Sequence, residues 1–504
     1  MSRTKVQLYI EIYRSSYHIC NYTLKKCLKL ERSLSVYDFI GRKYTHRGFS
    51  YDENTKVLKI PSNIDINFII DKCASDEEFI TDIRDYRHKF VESRRVNKIK
   101  CLAQPRNNIQ KEAIDFITAE NVSDKHKSHR LICLSTGFGK TVCSIIGAIT
   151  LKMPTVILSV SLSKQWVDRL LTFTNGKLGK DIIHIKTWAD IDKLMEMKYP
   201  PMGSFFILGL DAANSALRKD PEKLNQFYEK FGIGLQILDE FHLHFLKVLN
   251  ILVNTNVERV LYLSATPQRS EKYQDSLFKK LFTANIPSYG SNTQNINKYN
   301  VISMTYNTHP DITDISRIET KRGVNGVNYF KYLFENVNRY KILVDIILFF
   351  SFKILKNDEN KKVIIYIQSL NGIKIVKGIL EKVFQNEKCS FTIGDYSGNT
   401  PKVDRHKELE NSIILTTMAN NTGLDIKDLS MVINFVPFSS PIILRQTRGR
   451  LRDDKSWYVD VSDVGFPGII RQKEIRLIDH KRNIKSLKFY SYNVSTRKPE
   501  KSFI

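Results

Sequence analysis

The chain has 504 residues, 42% of them hydrophobic and 26% charged. At about 150 residues per domain this is room for about three domains, which excludes a peptide-sized or disulfide-stapled scaffold and a mostly disordered chain. Its 78 Lys and Arg against 53 acids leave a formal charge of +25, which favours a polyanionic partner, nucleic acid first, over a basic protein or a neutral metabolite. Residues 1–47 and residues 471–504 each carry ten basic against three acidic side chains; for either end alone a solubilising surface accounts for this equally well.

In chain order, residues 1–100 read as a small α/β accessory domain. YDENTKVLKIP (51–61) has the look of a strand after a turn, and residues 75–96 have helix-like spacing. The seven cysteines include no pair at two-residue spacing, so reduced thiols are expected. No secretory core or membrane-length apolar run is present, and a soluble, intracellular protein with no membrane partner is expected, in the host cytoplasm if the source is a phage or virus. From Arg130 onward, short Val/Ile/Leu runs alternate with helical periods: 131–135, 155–160, 235–240 and 259–266, then 362–367, 412–417, 431–436 and 457–462. Such runs predict parallel strands covered on both faces by crossover helices, hence two α/β sheets. Residues 285–300 and 307–328 are polar and turn-rich, and 340–355 has a strong helical pattern. The predicted division is 1–100, 101–299 and 300–504, the last with a basic tail.

The run LICLS leads into Thr136-Gly137-Phe138-Gly139-Lys140-Thr141 and then a helical period. Glycines let backbone N–H groups approach phosphate oxygens, a helix N-terminus adds its dipole, Lys140 adds a point charge and Thr141 a hydroxyl for Mg²⁺. Leu134 stands where the full P-loop pattern has its first glycine. A hundred residues on, LQIL ends in Asp239-Glu240-Phe241-His242. A carboxylate pair at the C-terminal end of a buried strand shares the sheet edge with the phosphate loop. Asp239 suits a metal ion, and Glu240 suits orienting and deprotonating an attacking water.

With these motifs the chain resembles the superfamily 2 DExD/H-box helicases. Gln110 resembles the adenine-reading glutamine of that group, and Ser264-Ala265-Thr266 with Pro267 and Arg269 resembles its S-A-T motif. Thr416-Thr417 through Gly423 and Asp425 resembles the motif that touches both strand and nucleotide, and Gln446-Thr447-Arg448-Gly449-Arg450-Leu451-Arg452 resembles the arginine-finger motif. In the family the second finger arginine follows Gly-Arg after two residues. Here Asp453 holds that place, so Arg450 matches the pattern and Arg452 stands one residue off it.

The resemblance implies an α/β fold of two RecA-like parallel-sheet domains in tandem behind the small N-terminal domain. It implies ATP and Mg²⁺ as cofactors, with Lys140, Glu240, Gln446, Arg450 and Arg452 catalytic. Ser135, Thr136, Gly137, Phe138, Gly139, Gly423 and Asp425 would join Gln110, Lys140, Thr141 and Arg450 at the nucleotide. Thr141 and Asp239 would hold the metal, and His242, Ser264, Ala265 and Thr266 would couple the sites. Ser161, Gln165, Thr187, Arg269, Thr416 and Thr417 would contact nucleic acid, with Trp166 either part of that motif or a cap on the core. Chain size and layout resemble most nearly the phage branch-migration helicases. The implied activity is an ATP-dependent monomeric motor that tracks along one DNA strand and unwinds or branch-migrates forked and junction DNA. An RNA-directed helicase, a viral transcription-release ATPase and an inactive nucleic-acid scaffold are the alternatives.

Overall fold

The computed structural model describes residues 7–24, 29–38, 43–74, 79–87, 99–120, 128–134, 137–159, 163–201, 203–269, 272–290, 299–320, 323–401, 404–420, 426–451, 453–481 and 484–502. Its contacts divide the chain into two units, 1–294 and 295–504.

In the first unit a seven-stranded, wholly parallel sheet runs Ile182–Ile185, Phe205–Gly209, Thr155–Ser159, Leu235–Asp239, Arg259–Leu263, His129–Ile132, Ser288–Tyr289. Its central strands are unbroken apolar runs because both faces are covered. One face packs against the helices Asn108–Thr118, Lys140–Leu151 and Ser163–Phe173 around Ile157, Ile207 and Ile237. The other packs against Leu210–Lys219, Lys223–Phe231 and Phe245–Leu252. Strand register sets Asp239 opposite Leu263 and Leu263 opposite Ile132. The carboxylate pair and the phosphate loop therefore leave one sheet edge, with the S-A-T strand between them.

Five strands form the N-terminal sheet in the order Ser50–Asp52, Val57–Pro61, Ser16–Cys20, Gln7–Ile12, Phe79–Asp85. The last strand corrects the helical expectation for 75–96: Phe79–Asp85 pairs in parallel with Gln7–Ile12. The open edge of Gln7–Ile12 offers a backbone ladder, which local spacing does not reveal. Residues 75–78 and 88–98 lie outside the described residues. The N-terminal sheet has no separate interior. Leu8, Ile10, Leu58 and Ile60 belong to the same hydrophobic cluster as Tyr262, Phe278 and Phe282. Polar bonds reinforce the seam: the Lys59 ammonium donates to Asn254 Oδ1 (2.8 Å), and Asn63 donates to the Tyr262 hydroxyl (3.3 Å).

The second unit holds an eight-stranded sheet in the order Ile393–Tyr396, Ile413–Thr416, Lys362–Tyr366, Leu429–Asn434, Trp457–Asp463, Tyr299–Tyr306, Ile484–Asn493, Lys498–Lys501. All neighbours are parallel except the last pair. The helix expected at 340–355 spans Val337–Leu355 and starts at Asn336, whose side chain accepts from the Asn338 N–H. The polar stretch 307–328 contains a helix, Ile312–Ile318, capped by Asp311. The basic C-terminus is no loose tail: it is a helix, Pro467–Lys481, followed by a hairpin that extends the sheet.

Candidate nucleotide site and coupling network

Gly137 (φ 87°) and Gly139 (φ 86°) turn the chain from the strand His129–Ile132 into the helix Lys140–Leu151. Both angles lie where only glycine is unstrained. A Cβ on Gly139 would also sit 2.4 Å from Gln110 Nε2. Gln110 stands in the first turn of Asn108–Thr118, where Asn107 caps by accepting from the Gln110 N–H (2.9 Å). The Gln110 amide donates to the Phe138 carbonyl (2.9 Å) and accepts from the Arg106 N–H (2.7 Å). The glutamine thus splints the phosphate loop itself. Lys140 Nζ donates to the Leu134 carbonyl (2.9 Å), which folds the ammonium back along the loop, and Thr141 follows it in the helix's first turn. Ser135 and Thr136 lie outside the described residues. Gly139→Ala is expected to weaken ATP binding at least tenfold and to destabilise the fold by about 1–2 kcal/mol from backbone strain alone. Nucleotide titration and thermal unfolding check the two effects separately.

Asp239 closes its strand with Oδ2 accepting from the Trp166 indole N–H (2.8 Å). Trp166 is 2% exposed, so it caps the core and fixes the carboxylate at once. Burial first, and the neighbouring Glu240 second, push the Asp239 carboxyl up to about 6. A carboxylate held buried at this cost is suited to a divalent cation, whose charge would reverse the penalty. Glu240 has φ 48°, a left-handed backbone for a non-glycine residue. Such strain is of order 1–3 kcal/mol and persists only where the surroundings enforce it. It turns the carboxylate off the strand axis, leaving Oε2 3.5 Å from His242 Nδ1.

The same His242 nitrogen is 2.9 Å from Ser264 Oγ, and Ser264 Oγ accepts from the Thr266 N–H (3.0 Å). Burial, then the charges of Arg269 and Lys140, lower the His242 ring to about 3, so it is neutral near pH 7. Ala265 lies between these two residues and is half-buried. Arg269, expected at the nucleic acid, is folded back here. Its Nη1 donates to the carbonyls of His242 (2.6 Å) and Leu243 (3.1 Å), and its N–H donates to Asp275 (2.6 Å). A run of hydrogen bonds therefore links the carboxylate turn to the S-A-T segment.

Of the remaining residues in the first unit, Gln165 is half-buried in the opening turn of Ser163–Phe173, and Ser161 lies outside the described residues. Thr187 is exposed at the start of Trp188–Glu196, with N–H and hydroxyl both given to Asp190 (2.9 and 3.1 Å). In the second unit Ser440 caps the helix Pro441–Arg448, which carries Gln446; Arg450 follows on the turn. Both are half-buried, and the Arg450 charge bears on the buried Tyr366. Arg448 is instead interior and paired with Asp479 (2.7 Å). Thr416 is buried and gives its hydroxyl to the Tyr396 carbonyl (2.7 Å), and Thr417 is buried beside it. The structure thus places both threonines inside the domain rather than on its surface. Gly423, Asp425 and Arg452 lie outside the described residues.

Residues 104–269 match the domain family described as type III restriction enzyme, res subunit, and residues 338–453 match the helicase conserved C-terminal domain. The chain carries the two-part core of a superfamily 2 DExD/H helicase. The phosphate loop and DExH turn lie in the first matched segment of this helicase core, and the Gln446 helix lies in the second. Relatives include candidate helicase 109L of invertebrate iridescent virus 3, 26% identical over 49% of this chain and 70% of that protein. Candidate helicase 161L of invertebrate iridescent virus 6 is 26% identical over 63% of this chain and 62% of that protein. The Dicer homolog 4 endoribonuclease of Oryza sativa subsp. japonica matches at 26% over 24% of this chain, which spans 8% of that relative's length. Among solved structures, a fragment of an HsdR-subunit candidate of a type I restriction enzyme from Vibrio vulnificus YJ016 superposes with TM-score 0.50. It is 16% identical over 78% of this chain and 69% of that one, a likeness of fold. Among the described residues no helix is long and apolar enough to cross a membrane.

Proposed function

We propose that this chain is an ATP-dependent DNA translocase that tracks along one strand and unwinds or branch-migrates forks and junctions. The observation that carries the ATPase part is the row of Ile132, Leu263 and Asp239 on adjacent parallel strands, with the Lys140 loop and Glu240 issuing from the same edge. ATP would lie along the phosphate loop. Thr141 and Asp239 would hold Mg²⁺, which when bound supplies charge neutralisation at the β and γ phosphates. Glu240 would accept the proton of the attacking water, and Gln446 and Arg450 are the candidate transition-state contacts. His242, Ser264 and Arg269 would pass the state of the carboxylate turn to the S-A-T segment. The charge of +25 supports a polyanionic track, and the small α/β region ahead of two parallel-sheet units is the layout on which the branch-migration reading rests.

The test is ATP hydrolysis with matched single-stranded DNA and RNA, followed by strand displacement on labelled forks and four-way junctions. DNA-stimulated hydrolysis that disappears in Lys140→Ala is expected, with stimulation falling steeply as salt rises because backbone contacts release counterions. Stimulation by RNA alone would replace this reading with an RNA-directed helicase.

A further inference from the structure

The C-terminal hairpin gathers cations over aromatic rings. In the strand Ile484–Asn493, residues 488, 490 and 492 share one face, and Tyr490 pairs with Lys501 of Lys498–Lys501. That face meets the helix Val337–Leu355, where Tyr490 packs on Phe349 and Phe350 (centroids 6.3 and 5.7 Å). Lys353 Nζ lies 3.9 Å from the Phe349 centroid, Lys356 Nζ 4.7 Å from Phe352, and Lys488 Nζ 4.5 Å from Trp457. Lys353, Lys356, Lys488 and Lys501 are exposed. Beside them opens a hollow of about 500 Å³, and the carboxylate that lines it, Asp345, already accepts from the Tyr492 hydroxyl (2.6 Å) and Arg497 (3.3 Å). Glu500 pairs with Ser491 on the opposite face and accepts from Asn493 and Thr496.

We propose that this hairpin and the facing side of Val337–Leu355 form a second, sequence-independent contact for a nucleic-acid backbone, outside the helicase motifs. The inference rests on the reading that the chain's track is nucleic acid. A merely solubilising lysine spreads into water and pairs with acids. Here aromatic faces hold the ammonium groups of Lys353, Lys356 and Lys488, so their rotamers are already restricted, and Lys501 joins them opposite Tyr490. Burial, and then the charges of Lys488 and Lys501, lower the Lys353 ammonium, so those two charges repel Lys353 and an anion placed among the three relieves the repulsion. Phosphates spaced along a strand supply that anion.

The test uses the full chain with Lys353→Gln, Lys356→Gln, Lys488→Gln and Lys501→Gln together, titrated with a labelled single strand at several salt concentrations. Affinity is expected to fall at least tenfold, and the slope of log affinity on log salt is expected to drop by about 3, four contacts at ~0.7 each on single strands. Unstimulated hydrolysis and the KM for ATP should not change. Should the quadruple variant fold poorly, the hairpin pair Lys488→Gln/Lys501→Gln is expected to lose about half that slope. Unchanged affinity and slope, or lost affinity with an unchanged slope, would overturn the inference. A wild-type chain that binds no nucleic acid would instead defeat the functional reading beneath it.

Discussion

Replacing Glu240 by glutamine is expected to lower the rate of ATP hydrolysis about 10³-fold, within the range general-base removal produces, while ATP and nucleic-acid binding stay within about twofold. The change keeps the side chain's size and leaves the left-handed backbone at 240 equally strained, so folding should be indifferent to it. It removes only the capacity to take a proton. Single-turnover hydrolysis beside equilibrium binding separates the two quantities. Hydrolysis close to the wild-type rate would mean that another group accepts the proton.

Arg476→Met is expected to destabilise the second unit by about 3–5 kcal/mol, the cost of leaving a buried partner charge uncompensated. Arg476 Nε lies 3.0 and 2.9 Å from the two Asp460 oxygens, Nη2 donates to Ser462 Oγ (2.9 Å), and both charged groups are buried. Burial pushes the Asp460 carboxyl up, but Arg476 and then His480 pull it down further, to about 2. Its folded value is below its unfolded one. The ion pair therefore stabilises the fold fully above about pH 4, and that contribution disappears as pH falls toward 2. Denaturant unfolding across this range should show the acid loss in the wild type and little of it in Arg476→Met.

The central strands were legible because two-sided burial writes itself as unbroken apolar runs, as in TVILS and LQILD. Tyr299–Tyr306 was hidden because its first residues close a polar, Asn-rich segment, although it fills an interior place between Trp457–Asp463 and Ile484–Asn493. Phe79–Asp85 departs from the helical expectation for 75–96 because side-chain spacing says nothing about an available sheet edge. At the candidate site, the phosphate loop and DExH turn are contiguous in sequence and so could be read directly. The bond from Trp166 to Asp239 spans 73 residues, and the Arg269 clamp on His242 spans 27. No local pattern announces either. The arginine motif shows the same limit: Arg448 and Arg450 are two residues apart, yet one is interior and bound to Asp479 while the other is half-buried on a turn.

Joint possession of one interior by the N-terminal strands and the strands beneath the phosphate loop constrains inheritance. Side chains such as Leu58 and Ile60 cannot drift in size without answering substitutions elsewhere in the cluster they share with Tyr262 and Phe282. Transplanting the leading segment from a cousin would import a mismatched seam, so those two stretches should descend together, even where surface loops are freely exchanged.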